Sequence, residues 1–198
     1  MIRTRFSSLR RTVRLLAAVA ALAGALASRG AQAQKIPLGA GLPAVSLSGP
    51  CASDKSYLRA HIRGAIRLDI DLHGRALACE GGPRLDGSGI RMGFEGRVGT
   101  GKRRVRMVFG IDGAREGQPG RELPTNLTVI FEGEKLIFAT QGDGNCTVDR
   151  LREEPVEKRS YLVTAHGFCI APANDIRGDR RIVVTTFDFA GLADFNTR

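Results

Sequence analysis

The chain has 198 residues, 42% of them hydrophobic, and a formal net charge of +10. Residues 1–33 contain six Arg and no acidic residue, so the remaining chain carries only +4. A charge of this size suits a soluble domain and gives no support for nucleic-acid binding. The length fits one domain that can bury a proper core.

The first 33 residues have the three parts of a secretory signal peptide. Basic residues come first, an apolar run follows from Leu15 to Ala27, and Ala31-Gln32-Ala33 is a small-x-small cleavage signature. The apolar run is about 13 residues long, whereas a membrane-spanning helix needs about 20. We therefore expect a periplasmic or secreted protein with no transmembrane segment after cleavage.

The cleavage site and the export route each have an alternative. Cleavage after Ala27 is also compatible with the sequence, and Arg10-Arg11 is compatible with twin-arginine export. Residues 34–50 are rich in Gly, Pro, Ala and Ser, which is typical of a flexible lead-in. Residues 51–198 are then predicted to form a single β domain.

Four cysteines, Cys51, Cys79, Cys146 and Cys169, follow the leader. An even number in an exported chain predicts two disulfides. Three pairings are possible, and loop length favours Cys51–Cys79 and Cys146–Cys169. Zinc binding would need closely spaced pairs such as C-x-x-C, which the sequence lacks, so we expect no metal and no cofactor.

Apolar and polar residues alternate from residue 61 onward, which indicates strands with one buried face. His61–His73 is predicted as one strand, with a tight turn at His73-Gly74 that returns Arg75–Cys79 against it as a hairpin. Tyr161–Ile170 and Arg181–Ala190 are β-branched and aromatic runs that predict further strands. A helical turn fits only Val148–Lys158, where Pro155 limits it.

The same alternation predicts which residues of three further strands face the core. These residues are Ile90, Met92, Phe94, Val105, Met107, Phe109, Ile111, Leu127, Val129 and Phe131. Gly-rich turns separate the segments at short intervals. The sequence therefore predicts an all-β, disulfide-linked, antiparallel sandwich or barrel of about eight or nine strands.

Four polar residues of the first predicted strand, Arg67, Asp69, Asp71 and His73, would share one face. Two carboxylates at this spacing could serve as acid and base in glycoside hydrolysis, and an Asp with a His could bind a metal. An alternating strand also needs polar residues on its wet face. We interpret the four as a solvated face and keep them as candidate ligand-binding residues.

Nucleophilic catalysis needs a Ser or Cys beside a base, and the sequence contains no G-x-S-x-G elbow. We predict no catalytic residue. The histidines are His61, His73 and His166. We interpret His166 as a half-buried strand residue bonded to a backbone carbonyl.

The densest basic run is Lys102, Arg103, Arg104 and Arg106. It is a candidate patch for phosphate groups, lipid headgroups or an acidic polymer. Aromatic residues that would stack bases are missing from it. We interpret the run as a solvated turn and strand edge, where charge discourages pairing with another chain.

The absence of a catalytic motif on a disulfide-linked β scaffold favours a noncatalytic binding domain. Its partner could be an envelope component, a small ligand or another protein. Two other classes remain open: a hydrolase that uses carboxylates such as Asp69 and Asp71, and a structural or assembly factor of the cell envelope. The oligomeric state is not predicted.

Overall fold

The computed structural model describes residue 51, residues 54–100 and residues 103–196. The predicted signal peptide (residues 1–33) and lead-in (residues 34–50) lie outside the described residues. The described residues form eleven β-strands and two 3-10 helices of three residues each, with no α-helix. None of their helices is long and apolar enough to cross a membrane. The predicted all-β antiparallel class is confirmed.

The strands run in chain order and are joined by short turns. They are β1 (Tyr57–Gly64), β2 (Leu68–His73), β3 (Leu77–Pro83), β4 (Gly89–Val98), β5 (Arg103–Asp112), β6 (Gly120–Glu132), β7 (Leu136–Ala139), β8 (Cys146–Glu157), β9 (Ser160–Cys169), β10 (Ala173–Asp175) and β11 (Arg181–Asp194).

All eleven strands belong to one sheet, whose main path is β2-β1-β11-β10-β7-β6-β5-β4-β3. The two long strands, β6 and β11, each pair with two strands along one edge. The first part of β6 pairs with β8 and its later part with β7. Likewise β11 pairs first with β10 and then with β9. The β8–β9 hairpin therefore bridges β6 and β11 beside the path through β7 and β10.

The far end of the sheet, β3, comes close to β11 although the two are distant in the pairing order. A Cβ atom on Gly81 would lie 2.6 Å from the carbonyl oxygen of Leu192, and one on Gly82 would lie 2.8 Å from that of Asp194. These distances are too short for any side chain, so glycine is required where the two backbones meet. The sheet thus bends back over its own core.

Aromatic side chains from both halves of the sheet fill that core. The rings of Phe94 and Phe189 have centroids 4.9 Å apart, and Phe109 lies 4.8 Å from both Phe187 and Phe189. Each of these side chains is at most 1% exposed. All ten residues predicted to face the core in these three strands are buried, so that prediction is confirmed.

The structure has eleven strands where eight or nine were predicted, and it differs from the prediction in three further respects. The segment His61–His73 is not one strand but the end of β1, a turn and β2, which pair with each other. The predicted hairpin of this segment with Arg75–Cys79 is also wrong, because β3 pairs with β4. Val148–Lys158 contains no helical turn, since β8 extends to Glu157.

Both disulfides favoured by loop length are present. Cys51 is bonded to Cys79 and Cys146 to Cys169, with Cα atoms 5.0 Å and 3.8 Å apart. Cys146 and Cys169 are directly opposite each other on β8 and β9. The two bonds are compatible with an oxidising compartment.

Candidate functional site

The predicted ligand-binding face lies on the β1–β2 hairpin, at one end of the sheet. Asp69, Asp71 and His73 project from the outer face of β2 and are exposed. Arg67 is also exposed, but it belongs to the turn before β2 and not to the strand. The structure therefore brings three of the four residues onto one strand face.

Cross-strand neighbours on β1 pair with both carboxylates. His61 Nδ1 and a guanidinium nitrogen of Arg63 are each 2.7 Å from Asp69, and Arg59 Nε is 3.2 Å from Asp71. The hydrogen bond from His61, followed by that from Arg63, lowers the pKa of Asp69. A general acid needs a raised pKa, so the environment of Asp69 favours a surface ion pair over acid catalysis.

The histidine on β9 does not have the environment predicted for it. The His166 side chain is 56% exposed, and its Nδ1 is 3.3 Å from a carboxylate oxygen of Asp149. The predicted bond to a backbone carbonyl is therefore wrong. The cause is the orientation of the strand, which turns His166 outward next to β8, where Asp149 lies.

The predicted basic patch on β5 is neutralised by glutamates. Arg103 pairs with Glu134. Arg104 and Arg106 both pair with Glu95 of β4 and Glu132 of β6. The prediction of a strand edge is wrong, because β5 lies between β4 and β6. Lys102 lies outside the described residues.

The β3–β4 turn, residues 84–88, presents the most exposed large hydrophobic side chain of the described residues, Leu85. The backbone N–H of Arg84 donates to the carbonyl oxygen of Gly89 (2.9 Å), and that of Gly87 donates to Arg84 (3.0 Å). Asp86 accepts hydrogen bonds from the backbone N–H and the hydroxyl of Ser88, at 3.0 and 2.8 Å. The turn therefore has a fixed shape while Leu85 stays in solvent.

Contacts beneath the turn attach it to the body of the sheet. The Arg84 side chain is only 16% exposed and donates to Asp143 at 2.9 Å. Asp143 also accepts a hydrogen bond from Asn126 of β6. Arg84 thus connects the turn to β6 and to the 3-10 helix that contains Asp143, residues 143–145.

A surface depression of about 800 Å3 lies beside Leu85. The residues that line it include the two glycines of β3 and Phe195. Arg159 and Glu116 also line it, and they form an ion pair whose two hydrogen bonds measure 2.9 and 2.7 Å. An exposed apolar side chain beside a depression of this size is a geometry suited to recognition of another molecule.

Three arginines, Arg121 of β6 with Arg150 and Arg152 of β8, line a second depression of about 580 Å3. We call them the arginine cluster. Sequence reasoning missed both this cluster and Leu85. The three arginines are not consecutive, and Leu85 lies in a polar turn, so neither produces a local pattern.

Among the described residues, no group of three or more His, Cys, Asp or Glu side chains is placed to hold a metal ion. Comparison with known proteins gives no further guide, since the chain matches no protein-family model, curated protein or solved structure at a significant level. The function must therefore be inferred from these surfaces themselves.

Proposed function

We propose that this protein is an exported, noncatalytic β domain that binds a partner protein through its β3–β4 turn. The observation that carries the proposal is the full exposure of Leu85 on a turn held by backbone and side-chain hydrogen bonds. A large apolar side chain kept in water on a rigid support loses little conformational entropy when it enters a pocket. Such residues are typical anchors of protein interfaces.

The neighbouring depression supports a protein as the partner. Leu85 would enter the partner, and a ridge of the partner would occupy the depression above Gly81 and Gly82. Charged side chains of both signs, Arg91 paired with Glu80 (2.7 Å) among them, border this surface. A polar border around an apolar centre is the usual composition of an interface between proteins.

The exposure and ion pairing of the candidate catalytic carboxylates support a noncatalytic role. Asp69 and Asp71, the carboxylates that a hydrolase would need, form exposed ion pairs on the β1–β2 hairpin. The interior is packed with the protein's own Phe side chains, which favours recognition at the surface over a ligand held inside. The two disulfides support export, in agreement with the signal peptide predicted for residues 1–33.

Photo-crosslinking in the exporting cell tests the proposal. A photoreactive amino acid replaces the exposed Arg91, which borders the turn, and Leu85 is either retained or changed to Ser. We expect one adduct of constant mass with Leu85 present. Leu85→Ser should reduce the adduct strongly, because loss of an interface anchor costs about 2 kcal/mol or more, roughly a thirtyfold loss of affinity.

The matched control is Val156→Ser, which changes another exposed apolar residue, on β8. It should leave the adduct at position 91 unchanged. An adduct that persists in Leu85→Ser, or that both substitutions reduce equally, would contradict docking through the turn. An adduct with a mass too small for a protein would exclude a protein partner.

A further inference from the structure

The arginine cluster lies on one outer face where β6 meets β8. In the strand register Arg121 is directly opposite Arg150, and Arg152 follows two positions later on the same strand. All three side chains are exposed. Their depression is completed by Pro119, Gly120 and Leu151.

Strand alternation puts Arg150 and Arg152 on the same face of β8, and a bulge between Val148 and Arg150 makes that face the outer one. Val148 and Leu151 are both buried although they are three positions apart. The register shifts between Val148 and Arg150, so Arg150 and Arg152 both face solvent on either side of Leu151. Bulges redirect side chains in this way and are common beside functional sites.

A second irregularity, in β6, turns Arg121 to the same surface. Glu122 has a φ of 52°, in the left-handed region that non-glycine residues rarely adopt. The ladder passes from Arg121–Arg150 to Leu123–Val148 across this residue. Without the irregularity, strict alternation from the inward-facing Leu123 would point Arg121 inward. Two backbone distortions thus converge on one exposed set of arginines.

The acidic residues next to the cluster in sequence are engaged elsewhere or exposed. Asp149 pairs with His166, and Glu153 accepts a 2.6 Å hydrogen bond from the backbone N–H of Gly117. Glu122 and Glu154 are exposed. Across the described residues, no ion pair or side-chain hydrogen bond joins any of the three arginines to an acid.

We propose that the arginine cluster is a binding site for a phosphoryl group. The planar guanidinium presents its N–H donors in a fork that matches two phosphate oxygens. A dianion between Arg121 and Arg150 would also remove the repulsion between two like charges that are direct cross-strand neighbours. The depression of about 580 Å3 has room for the group and part of the molecule that carries it.

The site is separate from the surface around Leu85 and does not depend on the proposed docking. The phosphoryl group can belong to a soluble phosphate or to a lipid headgroup, and the experiment distinguishes them. Isothermal titration calorimetry measures binding of inorganic phosphate at low ionic strength. Co-sedimentation with phosphatidylglycerol vesicles, compared with phosphatidylcholine vesicles, measures binding to anionic lipid.

We expect the wild-type protein to bind in at least one of the two assays. The triple variant Arg121→Gln/Arg150→Gln/Arg152→Gln should bind at least about tenfold more weakly, since charge-assisted hydrogen bonds are lost. Binding of phosphate alone would indicate a soluble ligand, and binding of anionic vesicles alone a lipid headgroup. Failure of the wild-type protein in both assays overturns the proposal.

The matched control removes the same charge from three other places. Arg75, Arg115 and Arg177 are exposed and lie in a 3-10 helix, a loop and a turn, so Arg75→Gln/Arg115→Gln/Arg177→Gln should bind like the wild type. Equal loss in both triple variants would show that only net charge matters and would overturn the site. Thermal unfolding of each variant verifies that it is folded before binding is measured.

Discussion

The outer face of the sheet holds arginines in two contrasting environments along β6. Near the C-terminal end of β6, Arg104 and Arg106 of the neighbouring strand β5 meet Glu95 and Glu132. Near its N-terminal end, Arg121 meets Arg150. The arginines of the first group are neutralised by neighbouring glutamates, whereas those of the second group leave positive charge available to a ligand.

The comparison shows that the density of basic residues in a sequence is a poor guide to a basic surface. The run from residue 102 to 106 is the densest in the chain, yet the strand register places glutamates beside its described arginines. The arginine cluster is assembled from two strands whose members are about 30 residues apart in sequence. Strand pairing therefore determines which charges remain available.

The largest effect is expected for Glu95→Gln in the neutralised region. The Glu95 side chain is 9% exposed and contacts both Arg104 and Arg106, the latter at 2.7 Å and only 12% exposed. Removing a poorly solvated carboxylate leaves a buried guanidinium with one ion-pair partner fewer. The free energy of unfolding should therefore fall by about 2–3 kcal/mol. Urea denaturation measures the difference.

Glu134→Gln is the control for that prediction, because the Glu134–Arg103 pair is about one-third exposed on both sides. Loss of this ion pair should lower the free energy of unfolding by less than about 1 kcal/mol. If the two variants unfold at the same urea concentration, the difference in burial between these ion pairs has no energetic consequence.

An intermediate effect of opposite sign is expected for Arg150→Gln. Like charges directly opposite each other on neighbouring strands are destabilising, so this variant should be more stable by about 0.5 kcal/mol at low salt. The gain should shrink as salt screens the repulsion. Urea denaturation at two ionic strengths tests both statements, and a loss of stability at low salt would contradict the repulsion.

The smallest effect is expected for Glu153→Gln, which concerns the acid that follows Arg152 in sequence. Burial, together with the charge of Glu116, raises the pKa of Glu153 despite the hydrogen bond from Gly117. Because the pKa is raised on folding, the contribution of Glu153 to stability is complete at a pH below its pKa in the unfolded chain, which is near 4.5. This contribution is lost as the pH rises through the pKa of Glu153 in the folded protein. Relative to the variant, the wild type should therefore become less stable between about pH 4 and neutral pH.

Melting temperatures of the two proteins across this pH range provide the measurement. The difference in melting temperature between the wild type and Glu153→Gln reports on Glu153 alone, because the other carboxyl groups titrate in both proteins. A difference that does not change with pH would mean that Glu153 ionises as easily in the folded protein as in the unfolded chain.

Local sequence predicts the part of this fold that depends on side-chain alternation. Residues such as Phe109 and Val129 are recognisable as core because their strands alternate regularly. The alternation does not reveal the boundary between β1 and β2, since the turn between them contains Ile66, which continues the apolar pattern. The order in which strands pair depends on contacts between residues that are far apart in sequence. The alternation of side chains within one strand carries no information about these contacts.

The candidate surfaces were harder to predict because they depend on departures from regular strands. Arg121 reaches its neighbours only because of the unusual backbone at Glu122. Leu85 is notable for its complete exposure and for the hydrogen bonds that fix its turn, and neither property can be read from residues 84–88 alone. A polar turn with one Leu has no distinctive sequence signal.

The two disulfides have a consequence for resistance to proteolysis. Cys51–Cys79 encloses the β1–β2 hairpin, and Cys146–Cys169 encloses the β8–β9 hairpin. The exposed turns of these hairpins contain Arg67 and Lys158, after which a trypsin-like enzyme cuts. A chain nicked at either residue stays covalently joined through the disulfide, so the two fragments separate on denaturation only when the disulfide is also reduced.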